Sequence, residues 1–162
     1  MSEILNSAIC KVQNAKHAFC RFITANDTGK NGSHQAGFYI PKCAAPLLFD
    51  VPGEKGENKD KLVKVKWQDD FVTESRFIYY GQGTRNEYRI TRFGKSFSFF
   101  EEDNVGDLLI IAQQSEDYYH GFILQTDQDI DDFFAYFNLS SEMTNQLIDV
   151  KQANTPEKQL ET

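Results

Sequence analysis

Alternation of apolar and polar residues dominates the chain and predicts a protein built mostly from short β-strands. Residues 62–67 place lysines on one side and valines with a tryptophan on the other, which is typical of a strand with one buried face. Glycines interrupt the pattern at residues 81–83, between two strand-like segments. The predicted strands are residues 18–24, 37–40, 62–67, 74–80, 86–92, 106–113 and 117–125. The last two are near enough in sequence to form a hairpin.

Helical spacing of apolar residues appears at fewer places. The predicted helices are residues 3–18, 41–49, 127–137 and 140–150. Asp127 is the predicted cap of the third helix, whose phenylalanines fall on one face. Few helices among many strands indicate an α+β fold with a mainly antiparallel sheet, closed into an open β-barrel with flanking helices.

Length and composition indicate one folded domain followed by a polar tail. The sequence has 162 residues, of which 40% are hydrophobic and 14% aromatic, so it can bury a substantial core. We expect the domain to occupy residues 1–150. Residues 151–162 are polar and contain a proline, which is typical of a linker.

The sequence carries no pattern typical of secretion, membrane insertion or a metal centre. Its longest apolar run, residues 108–112, is far shorter than the roughly 20 residues that span a bilayer. No basic segment followed by an apolar stretch opens the chain, so we expect a cytoplasmic protein without a membrane partner. Cys10, Cys20 and Cys43 form no Cys-x-x-Cys pair, and we expect buried free thiols.

Charge is distributed unevenly along the chain. The formal net charge is −7, yet residues 11–95 hold fifteen of the seventeen lysines and arginines. Residues 96–150 hold no lysine or arginine and twelve acidic residues. The sequence therefore predicts one basic side and one acidic side, and a basic side is compatible with a nucleic-acid partner.

A polar segment at residues 83–95 has the side-chain types that read base edges. In an extended strand Arg85, Glu87 and Arg89 share one face. Arginine can donate two hydrogen bonds to guanine, and a carboxylate can accept one from cytosine N4. The candidate DNA-binding residues in this segment are Thr84, Arg85, Asn86, Glu87, Tyr88, Arg89, Arg92 and Lys95. A solvated ladder of opposite charges is the alternative interpretation.

A second polar segment, at residues 25–35, is interrupted by glycines and is longer than a simple turn needs. Its asparagines and glutamine match adenine edges, and its glycines let backbone amides approach phosphates. The candidate DNA-binding residues here are Asn26, Asp27, Thr28, Lys30, Ser33, His34 and Gln35. A structural hydrogen bond is the alternative role for His34.

Together the two segments resemble the N-terminal effector, DNA-binding domain of EcoRII-type restriction endonucleases. The matching positions are residues 25–29, 34–35, 37, 39–41, 84–87, 89–92 and 94. The resemblance implies a B3-like DNA-binding pseudobarrel with two arms in the major groove, and a duplex site of the CCWGG kind. It also implies DNA-binding roles for His34 and Tyr39 in the first arm, and for Arg85, Glu87 and Arg89 in the second.

The resemblance further implies an allosteric effector domain without catalytic activity or a cofactor of its own. The partners it implies are double-stranded DNA and a nuclease domain of the parent chain, which would use Mg²⁺ in a prokaryotic cytoplasm. The chain departs from the family at Tyr88 and Gly83, where the family example has lysines. We therefore expect phosphate contacts to be weaker or to shift to Lys30, Lys95 or Arg76, and the resemblance does not determine the exact target sequence.

Two other functions remain open at this point. Asp50, Glu57 and Lys59 have the Asp…Glu-x-Lys spacing of a metal-dependent nuclease, although they lie in a polar loop. The acidic residues of segment 127–132 suit a protein-interaction surface, although helix capping and the helix dipole explain them better.

Overall fold

The computed structural model describes residues 2–28, 37–94, 97–99 and 101–150, and its main element is an eight-stranded sheet. The strands are β1 (Ala18–Phe22), β2 (Gly37–Ile40), β3 (Lys59–Lys66), β4 (Val72–Tyr80), β5 (Glu87–Thr91), β6 (Leu108–Ser115), β7 (Tyr118–Leu124) and β8 (Gln146–Leu147). The sheet order is β2-β5-β4-β3-β7-β6-β1-β8. Its pairs are antiparallel except β3 with β7, which is parallel. The α-helices are α1 (Glu3–Gln13) and α2 (Asp127–Tyr136).

The sheet curves around an apolar interior. Strands β1 to β7 all contribute to one buried cluster, which includes Phe19, Phe38 and Tyr119. The curvature brings β2, at one edge of the sheet, beside β1, near the other edge. Arg21 of β1 donates from Nη1 to the carbonyl oxygen of Tyr39 in β2 at 2.6 Å. Because β1 and β2 meet through a side chain and are not neighbours in the strand ladder, the barrel is open, and the predicted fold class is confirmed.

The two α-helices cover only one half of the sheet. Leu5 of α1 and Phe133 of α2 belong to a second buried cluster, together with Ile110 of β6 and Phe122 of β7. Strand β6 is consequently buried on both faces along most of its length. Strand β5 instead alternates between buried and half-buried residues. In the described part of the chain, the outer face of β5 and its neighbours is thus left open.

Both α-helices differ in their ends from the sequence prediction. Helix α1 ends at Gln13, before residue 18, because the side chain of Asn14 donates to the carbonyl of Cys10 at 2.8 Å and stops the helix. Thr126, and not Asp127, caps α2: its hydroxyl accepts a hydrogen bond from the amide of Asp129 at 3.2 Å.

The predicted helix over residues 140–150 is wrong. The segment forms a short 3-10 turn, Ser141–Met143, and then strand β8, which pairs with β1. The amide of Asn145 donates to the carbonyl of Cys20 at 2.9 Å, and that of Ile148 donates to the carbonyl of Ala18 at 2.8 Å. The free edge of β1 thus decides the conformation, since its carbonyls need donors.

Two smaller boundaries also differ. The segment predicted as a helix over residues 41–49 is a 3-10 helix, Lys42–Leu47, with Pro46 inside it. Strand β3 begins at Lys59, inside the predicted polar loop, because the register of the β3–β4 hairpin pairs Lys59 with Tyr79. The ammonium of Lys59 lies 4.9 Å from the ring centre of Phe49, so this lysine suits a partly buried strand.

The three cysteines are all free thiols, as expected. Cys20 is buried, and burial raises the pKa of its thiol to about 12. Cys10 and Cys43 are exposed, so the expectation of burial is wrong for them. Among the described residues, no helix combines the length and the apolar character that a membrane crossing needs.

Candidate nucleic-acid interface

The open face of β5 carries the predicted row of charged side chains. Tyr88 and Ile90 are buried in the barrel, whereas Glu87 and Arg89 lie on the opposite face and are half-buried. Tyr39 of β2 is paired with Arg89 and therefore lies on the same face, with 43% of its surface exposed. The alternation predicted from the sequence is thus confirmed, and it places Tyr39 beside the charged row.

Glu87 holds the arginines on either side of it. Its Oε1 accepts from Nη2 and Nε of Arg85 at 2.5 and 3.0 Å, and its Oε2 lies 3.5 Å from Nε of Arg89. The guanidinium of Arg85 also stacks on the ring of Tyr80, 3.6 Å from its centre. Both arginine side chains stay accessible, because 48% of Arg85 and 38% of Arg89 is exposed. The row is therefore an ordered set of donors at the surface.

The two polar segments leave the ends of the β2–β5 pair in opposite directions along the strands. We name the β1–β2 connection, residues 23–36, the first arm, and the β4–β5 connection, residues 81–86, the second arm. The first arm leads into Gly37, which is paired with Thr91 at the end of β5, and the second arm leads into the start of β5. Gly37 and the start of β5 thus mark the two ends of a strip of sheet roughly 10 Å long. Tyr39 and Arg89 lie on that strip.

A buried ion pair holds the described start of the first arm. Oδ2 of Asp27 accepts from Nη2 of Arg21 at 2.9 Å and from the amide of Thr24 at 2.8 Å. The carbonyl of Asp27 accepts from the amide of Gly37 at 3.1 Å. Asp27 is buried, and these internal contacts give it a structural role beside the DNA contact predicted from the sequence. Its contacts tie the arm to β1 and β2.

The pKa values of this pair show how it responds to burial and to charge. Burial is the largest influence on the pKa of Asp27 and raises it, while Arg21, the Thr24 amide and Arg89 act in the opposite direction. Burial lowers the pKa of Arg21, and the positive charge of Arg89 lowers it further. The charged row on β5 is therefore within electrostatic range of the base of the first arm.

Two of the candidates in segment 83–95 have internal contacts. The hydroxyl of Tyr88 accepts from the amide of Gly53 at 2.8 Å, and its ring packs against Tyr79 and Phe49 inside the barrel. These contacts give Tyr88 a structural role inside the barrel, and its contact with DNA stays a prediction. The side-chain oxygen of Asn86 accepts from the hydroxyl of Tyr79 at 2.7 Å, although Asn86 is exposed.

The remaining candidates divide into surface residues and residues that the structure does not describe. Thr84 and Arg92 are exposed, and Arg92 has a φ of 67°, which turns the chain out of β5. Asn26 is exposed, and Thr28 is half-buried with its hydroxyl on the carbonyl of Ala25. The candidates outside the described residues are Lys30, Ser33, His34, Gln35 and Lys95.

The structure adds two residues that local sequence patterns do not select. Arg21 stands between apolar neighbours in β1, and this position is the one signal of a buried, paired arginine. Tyr80 supports Arg85 from β4 and had no distinguishing pattern. Both contacts depend on the register between strands, which the sequence of one segment does not determine.

Two residues of the nuclease-like spacing have contacts elsewhere in the structure. No group of three or more potential metal-ligating side chains occurs among the residues described. Asp50 pairs with Lys16 at 3.4 Å, and Lys59 donates to the carbonyl of Val51 at 2.7 Å.

Comparison with known proteins agrees with the geometry. Residues 12–144 match the family described as restriction endonuclease EcoRII, N-terminal. The type II restriction enzyme EcoRII of Escherichia coli is 34% identical over 101 residues, which cover 58% of this chain and 25% of the relative. The chain thus matches about a quarter of the length of that relative.

A solved structure shares the fold. The B3 domain of the UbaLAI restriction endonuclease, determined with cognate DNA, superposes with a TM-score of 0.51 at 19% identity and covers 83% of this chain and 88% of that domain. The fold is therefore the B3-like pseudobarrel. Since the family match extends over most of the described domain, the chain belongs to the EcoRII N-terminal domain family.

Proposed function

We propose that this domain binds double-stranded DNA sequence-specifically, with its two arms and the strip of sheet between them in the major groove. The observation that carries the proposal is the row Arg85–Glu87–Arg89, which is ordered, accessible and flanked by both arms. A major groove about 12 Å wide admits a two-stranded ribbon such as β2–β5. The UbaLAI B3 domain, which has the same fold, was solved with its cognate DNA.

The row has suitable chemistry for G·C pairs. A guanidinium can donate two hydrogen bonds to O6 and N7 of guanine, and a carboxylate can accept from N4 of cytosine. Glu87 accepts from Arg85 and forms an ion pair with Arg89, so its charge is compensated before DNA arrives and it meets less repulsion from phosphates. These contacts fit a site of the CCWGG kind, in which G·C pairs flank a central A·T pair.

The phosphate contacts come from the rims of this surface. Thr84 and Arg92 are exposed at the two ends of β5, and Lys30, Lys95 and His34 are further candidates. The acidic segment, residues 96–150, includes β6, β7 and α2 on the other half of the molecule. This separation directs the basic side to DNA and lowers non-specific binding elsewhere.

In the parent enzyme we assign this domain the role of an effector and target-recognition domain of a type II restriction endonuclease. The family match and the partial coverage of EcoRII support this role. Cleavage and its Mg²⁺ then belong to a separate nuclease domain, and the recognition domain itself uses no cofactor.

Binding to matched duplexes tests the proposal. Fluorescence anisotropy at fixed salt compares a CCWGG-type duplex with duplexes in which one G·C pair is replaced. We expect Arg89→Ala to weaken the specific complex by about 1–3 kcal/mol and to reduce the preference for the replaced pair. Lys16→Ala, which removes an exposed lysine paired with Asp50, is the charge-matched control. Equal losses on matched and replaced duplexes would contradict base reading by Arg89.

A further inference from the structure

We propose that the loop at residues 53–58, which we name the brace, positions the second arm, and that Lys55 and Asn58 thereby set base selectivity. The inference rests on the proposed DNA-binding function. It assigns these two side chains a positioning role, since they act through the arm that carries Arg85.

Asn58 holds the start of the second arm through its side-chain oxygen. This oxygen accepts from the amide of Gly81 at 2.9 Å and from the amide of Gln82 at 3.3 Å. These amides follow the last residue of β4, where the ladder with β5 has ended. Asn58 thus replaces the partner that the strand ladder no longer provides.

Lys55 holds the same turn from its carbonyl side. Its ammonium donates to the carbonyl of Gly81 at 3.0 Å and also to the carbonyl of Gly83. The amide of Gly56 donates to the Gly81 carbonyl at 2.7 Å. The brace therefore forms hydrogen bonds with both the backbone donors and the backbone acceptors of the turn at residues 81–83.

The brace and the arm also fit closely in shape. A Cβ atom on Gly81 would lie 2.3 Å from the carbonyl oxygen of Glu57, and one on Gly53 would lie 2.2 Å from the ring of Tyr79. Glycine is required at both positions because the backbone of the brace passes this close to the arm and the barrel wall.

These hydrogen bonds are important because Arg85 is only two residues after the turn. The amide of Arg85 donates to the carbonyl of Gln82 at 3.2 Å, and Gly83 between them has a φ of 63°. Because residues 81–83 are held in place, the guanidinium of Arg85 stacks on Tyr80 and donates to Glu87 in one orientation. A pre-ordered donor pair loses less conformational freedom on binding, and this favours the matched base over a mismatched one.

Lys55 has a competing role as a direct phosphate contact. An ammonium has three donors, and the two carbonyls occupy two of them. The two roles predict different changes in binding. A phosphate contact adds affinity for every duplex and steepens the dependence on salt, whereas positioning acts on the preference for one base over another.

Asn58 gives the sharpest test because a near-isosteric variant keeps the acceptor. We expect Asn58→Ala to reduce the affinity ratio between a CCWGG-type duplex and a single-pair variant by about three- to tenfold, in line with the loss of a hydrogen bond. Asn58→Asp retains the oxygen and should keep that ratio, even if its negative charge weakens binding to all duplexes. If Asn58→Ala leaves this affinity ratio unchanged, the proposed positioning role of the brace is wrong.

Lys55→Ala is measured beside Lys11→Ala, which removes a lysine from α1 on the other half of the molecule. We expect Lys55→Ala to lower the affinity ratio with an unchanged salt slope, and Lys11→Ala to leave both unchanged. A uniform loss of affinity with a salt slope reduced by about one unit would assign Lys55 to a phosphate and overturn its positioning role.

Arg85→Ala separates failure of the brace from failure of the function. If Arg85→Ala reduces selectivity while the Lys55 and Asn58 variants do not, the brace is wrong and DNA recognition by the arm stands. If Arg85→Ala also leaves selectivity unchanged, both proposals are overturned.

Discussion

The two arms are fastened to the barrel by opposite means. The described part of the first arm is held by a buried ion pair, in which 8% of Arg21 and 4% of Asp27 side-chain surface is exposed. The second arm is held by hydrogen bonds from Lys55 and Asn58 at the surface, and its own ion pair leaves 48% of Arg85 and 25% of Glu87 exposed. The same kinds of groups therefore have different consequences: buried contacts govern whether the domain folds, and exposed contacts govern how an arm meets its ligand.

The largest effect is expected at the first arm. Asp27→Ala leaves the guanidinium of Arg21 buried without its counter-charge, and this should destabilise the fold by about 3–5 kcal/mol. Urea unfolding at neutral pH measures the loss. Asp117→Ala, which removes an exposed partner of Lys61, is the matched control and should change stability by less than about 1 kcal/mol. Equal losses of stability in the two variants would mean that burial does not determine how much an ion pair contributes to stability.

An intermediate effect is expected where the second arm meets the brace. Gly81→Ala places a methyl group against the Glu57 carbonyl and the Tyr79 ring, and the backbone must shift. We expect a loss of about 1–3 kcal/mol in thermal unfolding, together with lower base selectivity. A variant that keeps both wild-type stability and selectivity would show that the close approach is unimportant.

A smaller effect is expected at Tyr88, whose ring is buried inside the barrel. Tyr88→Phe removes the acceptor of the Gly53 amide and should reduce stability by about 1 kcal/mol. Because the ring is buried, affinity for DNA should change little. If calorimetry finds no loss of stability but binding drops strongly, the hydroxyl contacts DNA after all.

The smallest effect on stability is expected at Glu87. Its ion pairs are exposed, so Glu87→Gln should change the free energy of unfolding by less than about 1 kcal/mol. Base preference should change nevertheless, because an amide presents donors where the carboxylate accepts. Asp27→Ala should thus change the stability of the fold, and Glu87→Gln should change base preference. A Glu87→Gln variant as unstable as Asp27→Ala would contradict this assignment.

Local pattern was sufficient for much of the fold and part of the site. The alternation within residues 86–92 correctly predicts that Glu87 and Arg89 lie opposite Tyr88 and Ile90, because the two-residue period of a strand is a local property. The open barrel follows from the number of short strands. The resemblance to the EcoRII family is confirmed by the match over residues 12–144.

Long-range pairing explains what the sequence did not predict. Residues 146–147 form a strand because the edge of β1 lies beside them, although their own pattern indicated a helix. The pairing of Asp27 with Arg21 could not be predicted from the sequence, because it forms only when the first arm folds back onto β1. The brace has the composition of a simple surface loop, and its role depends on the position of the turn at residues 81–83.

Selection of bound duplexes from a random pool, at a stated salt concentration and with sequencing of the bound fraction, tests the central claim most directly. The wild-type chain should enrich a short site in which G·C pairs flank an A·T centre, and Arg85→Ala with Arg89→Ala should lose the preference at the G·C positions. If the wild-type chain enriches no sequence, or if the double variant enriches the same site equally well, then the row on β5 does not read bases.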